Sequence, residues 1–287
     1  MEAVQDLRFP WNPEKTTDFS KLPRYIGWDW DLDNLRMILP RNKKDKYVDK
    51  AKGFQESTPR SLKEVEELVG SLLHVSIVAR DLCPYLAELF KMSALFDPSL
   101  PLKKHYVPVQ VRHDMAQWIT ALSATPFVRS FKVSESQFGD VVYVDASTEW
   151  GIGIVVGERW AAWKWLPGWD AENRGINWGE AVALELGLRA AVAYGAAKKV
   201  VTFWSDNQGV IGSYKKGFSH SAHINSVLKR VVQLEMEHRL HVKIDYVESA
   251  LNPADAPSRG EVLPGPQLKV PDIPPSISVF LDEVRVN

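Results

Sequence analysis

The stretch that most constrains this chain is Val141-Val142-Tyr143-Val144-Asp145-Ala146-Ser147. Its β-branched and aromatic residues favour a strand, Thr148 to Gly151 offer a turn, and Ile152 to Val156 resume the apolar pattern, so a hairpin is the economical reading. Asp145 then places a charge at the end of a buried strand. Such an aspartate either caps the turn through its own backbone or belongs to a site, and the choice depends on what else the chain brings to that strand end.

The rest of the C-terminal half supplies partners. Trp160 to Trp165 reads as a third antiparallel strand closed by Pro167-Gly168, and Asn177-Trp178-Gly179-Glu180 opens a long helix that stops at Gly195. Val200 to Trp204 is a buried-type strand ending at Ser205-Asp206-Asn207. Helical stretches follow over about 207–215 and 222–239, then a fifth strand over His241 to Val247 and a short helix starting at Asn252-Pro253-Ala254-Asp255. The order is three strands, helix, strand, helices, strand, helix. If the first and fourth strands are parallel neighbours, Asp145, Glu180, Asp206 and Asp255 converge at one end of the sheet. Carboxylates packed together repel unless a hard cation cancels their charge, and Mg²⁺ or Mn²⁺ suits oxygen ligands. Each residue also has a plainer explanation: Asn177 with Glu180 is a capping box, and Asp206 and Asp255 suit helix starts.

The N-terminal half has a different pattern. Residues 1–24 form an extended lead-in with three prolines, and Tyr25 to Leu39 suggests a hairpin around Asp33-Asn34. Asp29, Asp31 and Asp33 share one face of it, as on a solvated strand. Arg41 to Lys52 is a helix with a basic face, either simply solvated or in contact with a phosphate backbone. Ser61 and Glu64 make a capping box for a helix running to about Arg80; apolar helices follow at about 84–95 and 112–122. From Gly260 five prolines make the tail extended, as a linker or a strap.

At 287 residues, 45% hydrophobic and 25% charged, the chain has the make-up of a soluble globular protein of one large or two ordinary domains. No apolar run approaches the roughly 18 residues of a membrane span, and the N-terminus lacks the apolar core of a signal peptide, so an intracellular protein of cytoplasm or nucleus is expected. Cys83 is the single cysteine, which excludes an internal disulfide and a cysteine-based zinc site. The net charge of −1 leaves polyanion binding to local patches or to metal ions that offset acidic residues.

Residues 140–260 resemble the ribonuclease H domain of retroelement reverse transcriptases. The motifs that carry the resemblance are Tyr143-Val144-Asp145-Ala146-Ser147, Asn177-Trp178-Gly179-Glu180-Ala181, Trp204-Ser205-Asp206-Asn207, and Asn252-Pro253-Ala254-Asp255-Ala256-Pro257-Ser258-Arg259. Residues 25–134 are similar, more weakly, to the thumb and connection region of such enzymes, most like the DIRS type. The resemblance implies an α/β fold: a ribonuclease H-like five-stranded mixed sheet with flanking helices over 135–260, preceded by a small mostly helical thumb/connection-like domain and followed by a proline-rich tail over 261–287. It implies two Mg²⁺ or Mn²⁺ ions held by Asp145, Glu180, Asp206 and Asp255. It also implies hydrolysis of the RNA strand of an RNA–DNA hybrid, gripped through Arg41, Lys43, Lys44, Lys46, Ser147, Asn177, Asn207, Lys215 and Lys216.

The chain departs from the family at two points. The loop before the final aspartate reads Glu248-Ser249-Ala250-Leu251, where many members place a histidine, and Lys215-Lys216-Gly217 leads directly into the next helix, where many cellular members carry a basic protrusion. With no Tyr-x-Asp-Asp motif and no room for a palm before residue 25, the chain is not expected to synthesise DNA alone; a polymerase-containing chain is an expected partner, and a membrane is not. The alternative is a catalytically inactive ribonuclease H fold, derived from a retroelement, that binds nucleic acid or acts as a scaffold. Seven of the 11 tryptophans lie from Trp150 to Trp204, for sheet packing or for base stacking.

Overall fold

The computed structural model describes residues 20–97, 99–100, 102–124, 126–130 and 136–285. Most of the lead-in, and the boundary expected between residues 134 and 135, lie outside the described residues.

In the first region three short strands, β1 (Arg24–Tyr25), β2 (Trp28–Asp31) and β3 (Arg36–Ile38), lead into helix α1 (Arg41–Lys52). Strand β4 (Pro59–Ser61) precedes α2 (Leu62–Ser76), whose capping box forms as the sequence predicts. A 3₁₀ segment, Arg80–Leu86, contains Pro84, which cannot donate within an α-helix, and α3 (Ala87–Ser93) continues from it. Strand β5 (Lys104–Tyr106), α4 (Val109–Ser123) and β6 (Val128–Ser130) complete the region. Its helices are accompanied by a four-stranded sheet, β1-β2-β3-β6, and a two-stranded one, β4-β5. The fourth strand of the larger sheet, β6, arrives some 90 residues after β3, and three residues carry no periodicity to announce it. Asp29, Asp31 and Asp33 pair with Arg24, Arg36 and Lys21, which fits the solvated-face reading.

The second region follows the strand and helix order read from the sequence, with a short helix and a strand added from the tail. Strands β7 (Val142–Ala146), β8 (Gly151–Val156) and β9 (Arg159–Trp165) form an antiparallel meander; α5 (Ile176–Ala193) crosses to β10 (Val200–Ser205); α6 (Gln208–Lys216) and α7 (Ala222–His238) lead to β11 (His241–Tyr246). Then come a 3₁₀ turn (Ser249–Leu251), α8 (Asp255–Ser258), α9 (Pro275–Ser278) and β12 (Leu281–Glu283). The sheet is mixed and has six strands rather than five, in the order β11-β10-β7-β8-β9-β12. The extra strand comes from the tail: β12 pairs antiparallel with β9 and covers what would otherwise be an open edge, so the tail is a strap on the sheet.

Helix α5 is buried on nearly every side, lying between the sheet and α7. It starts at Ile176 with Gly175 as its cap, so the capping box expected from Asn177 and Glu180 does not form. Gly179 lets the helix approach the end of β7, because a Cβ there would sit 2.9 Å from the Trp165 ring and 3.4 Å from the Ala146 methyl. Helix α8 lies on the opposite face of the sheet, and Gly153 makes room for it: a Cβ at Gly153 would fall 2.4 Å from the Ala254 carbonyl oxygen. Trp160, Trp163 and Trp165 are buried in the core, which favours packing over stacking on bases. Among the described residues no helix is long and apolar enough to cross a membrane.

Candidate metal centre

The parallel pairing of β7 with β10 decides where the carboxylates go. Phe203 and Trp204 of β10 stand opposite Val142 and Tyr143, so both strands end on the same side of the sheet. Asp145 lies near the end of β7, Asp206 directly after β10, and Glu180 in the second turn of α5, brought close by Gly179. One carboxylate oxygen from each of the three lies within 4.8 Å of the others.

Asp145 and Glu180 are each only 4% exposed. Burial, together with the neighbouring charges of Asp206 and Asp255, pushes Asp145 up to about 6, while a hydrogen bond from Ser258 opposes the shift. Burial pushes Glu180 up to about 9, with Asp145 and Asp206 adding repulsion and the Ala146 amide and Asn207 side chain opposing it. Glu180 Oε2 is buried without any hydrogen-bond partner. A buried carboxylate oxygen with no donor among the described residues, beside two further carboxylates, is an arrangement that a divalent cation stabilises. The donor set therefore fits a hard cation.

Asp255 heads α8 near this cluster but is outside the group of three; its carboxylate accepts from Arg259 at 2.9 Å. Ser147 is buried, donating to the Ser258 carbonyl at 2.6 Å and accepting from the amides of Trp150 and Gly151. Asn207 donates to Asn177 at 3.0 Å and caps α6 through the Val210 amide. Both lie at the rim of the acidic group.

The basic candidates lie elsewhere. Lys215 pairs with Asp245 at 3.1 Å, and Lys216 lies 4.1 Å from the centroid of the Phe218 ring. Both are at the far end of α6, where Arg80 donates to the Lys215 carbonyl and Phe90 packs on Phe218, joining the first region to the second. On α1, Arg41 and Lys46 are exposed, Lys43 is half-buried across Gly27, and Lys44 is only 8% exposed.

The structure adds three residues to which sequence reasoning gave no role. Ser258 donates to Asp145 Oδ2, Ser249 donates to Asp206 Oδ2, and Asn252 donates to the Val144 carbonyl at 3.1 Å, tying the segment before α8 to β7. Asn252 and Ser258 belong to the motif that ends in Arg259, but their contacts depend on how that segment docks on the sheet, and Ser249 lies before the motif.

The fold and site define a mixed α/β protein with a carboxylate cluster able to hold a divalent cation. No family model matches the chain. No curated protein matches it either. Among solved structures it is similar to a foamy viral protease-reverse transcriptase in complex with RNA/DNA hybrid, at 14% identity and a TM-score of 0.34, over 91% of this chain and 33% of that one. It is also similar to a foamy viral protease-reverse transcriptase dRH in complex with ds DNA, at 13% identity and a TM-score of 0.33, over 79% of this chain and 38% of that one. The chain spans about a third of the length of these structures.

Proposed function

We propose that the chain is a metal-dependent endonuclease that hydrolyses the RNA strand of RNA–DNA hybrids, with Asp145, Glu180, Asp206 and Asp255 as its catalytic set. On this reading residues 135–260 are a ribonuclease H-like domain of a retroelement reverse transcriptase, related to the DIRS type by motif, and residues 25–134 are its thumb/connection-like part. The observation that carries it is the meeting of Asp145, Glu180 and Asp206 at one strand end with Glu180 Oε2 left without a donor. Two hydrophobic cores, one from Trp28 to Phe127 and one from Phe138 to Leu281, support the division of the chain.

The chain's own contribution is placement. Asp145 and Glu180 are buried on β7 and α5, and Asp206 is more open, so on this reading a phosphodiester would approach from the side of Asp206. Two Mg²⁺ or Mn²⁺ ions bound there would supply an activated water and stabilise the leaving oxygen of an in-line displacement. On this reading Asn177 and Asn207, hydrogen-bonded to each other, would contact the ribose 2′-hydroxyls that distinguish the RNA strand.

A second reading, nucleic-acid binding without turnover, is favoured by one observation: Lys215 and Lys216, expected to grip the substrate, are engaged by Asp245 and Phe218. A labelled RNA–DNA hybrid incubated with Mg²⁺ or Mn²⁺ separates the two. Cutting of the RNA strand by wild type, abolished in Asp206→Asn, supports the nuclease; binding of the hybrid with both strands intact would replace it with the scaffold.

A further inference from the structure

The segment from Ser249 to Ser258 touches the acidic cluster at two points, both of them hydroxyls. Ser258 is fully buried on α8, and its hydroxyl is turned to Asp145 Oδ2. Ser249, in the 3₁₀ turn before it, turns its hydroxyl to Asp206 Oδ2. The segment is itself fastened to the sheet. Asn252 donates to the Val144 carbonyl, Ser147 donates to the Ser258 carbonyl, and Gly153, the direct neighbour of Asp145 across the β7–β8 ladder, leaves space for the α8 backbone.

A carboxylate held only by neighbouring carboxylates can rotate about its terminal torsion, which is broad and soft. A hydroxyl on one oxygen fixes the plane of the group and leaves the other oxygen directed at the ligand, as outer partners do for metal-binding carboxylates. The geometry points to Ser258 and Ser249 as positioning residues: a two-hydroxyl clamp that orients Asp145 and Asp206 for the divalent cation. This rests on the metal-centre reading above and adds the residues that set the affinity of that centre. Ser249 takes this part in the loop where the family resemblance would place a histidine. The clamp ties metal binding to the docking of one short segment, so anything that lifts residues 249–258 from the sheet also weakens the metal site.

The test is Mn²⁺ binding to the full chain, measured by calorimetry for wild type, Ser258→Ala and Ser249→Ala, with the metal-free melting temperature of each recorded. The clamp predicts about 10-fold weaker Mn²⁺ binding for Ser258→Ala and a smaller loss for Ser249→Ala, which is exposed and carries little risk to folding. Ser258→Thr, which keeps a hydroxyl, should recover most of the affinity. If Ser258→Ala and Ser249→Ala both bind Mn²⁺ as wild type does, with any change confined to the metal-free melting temperature, the clamp is wrong and the serines only hold the fold. If wild type binds no divalent cation, both the clamp and the metal centre fall. If wild type binds Mn²⁺ and the variants weaken it while no hybrid is cut, the clamp stands and the nuclease reading does not.

Discussion

Helix α5 carries two buried glutamates five positions apart, and they are treated in opposite ways. Around Glu185, which is fully buried, Arg189 donates from one turn along and Arg230 from α7, at 2.8 and 2.9 Å. Its charge is balanced by the protein. Around Glu180 no ion pair forms among the described residues; Asp145 and Asp206 stand beside it, only the Ala146 amide and the Asn207 side chain counter them, and Oε2 has no hydrogen-bond partner. An unpaired buried carboxylate must take up a proton or find a counter-charge, so Glu180 beside Asp145 and Asp206 marks a place where a cation could complete the electrostatics. The same helix thus uses one carboxylate to fasten α5 to α7 and carries the other in a group that could hold a cation.

The largest effect should come from breaking the balanced side. Arg230→Met keeps most of the stem but leaves Glu185 with one cation, and should cost about 3 kcal/mol in urea unfolding, with no change in metal response. Glu180→Gln should act in the opposite direction: glutamine does not have to take up the proton that burial forces on Glu180, so the metal-free melting temperature at neutral pH rises by roughly 2–4 °C. A fall of similar size would mean that Glu180 is a structural partner like Glu185.

The pH dependence sharpens the same contrast. The folded protein holds the Glu180 proton up to about pH 9 and the Asp145 proton up to about pH 6, above the ordinary carboxylate values. Between pH 4 and 9 the folded state therefore binds more protons than the unfolded one, and metal-free stability falls as pH rises through that window. Glu235, pushed up to about 7 by burial, contributes with the same sign but is common to wild type and Glu180→Gln. The difference between the two proteins isolates Glu180, and its curve should be flatter in the variant. The smallest effect belongs to a site remote from both glutamates: Ser61→Ala removes the cap of α2 and should cost about 1 kcal/mol while leaving metal binding untouched.

Asp145, Glu180 and Asp206 were legible in the sequence because strand ends and helix starts can be read from the period of apolar residues, and the chain order brings those ends together. Ser258 and Ser249 were not, because their role depends on how closely α8 approaches β8, which is decided by the missing side chain of Gly153 across a long sequence separation. Glu185 escaped notice for a similar reason: one of its two arginines comes from α7, 45 positions away. Strand β12 is three residues long, too short for alternation to register, and its place on β9 was hidden in a tail marked only by prolines. Lys215 and Lys216 lie at the end of α6 that meets the first region, a neighbour that the sequence does not reveal.

The most direct test of the account is thermal unfolding of wild type and Glu180→Gln at pH 8, each in EDTA and in excess Mn²⁺. The account predicts that Mn²⁺ raises the melting temperature of wild type by several degrees, since a ligand at 100 times its dissociation constant adds about 2.7 kcal/mol, and raises that of the variant much less. No shift in wild type, or equal shifts in both proteins, would contradict the claim that this acidic cluster is completed by a cation.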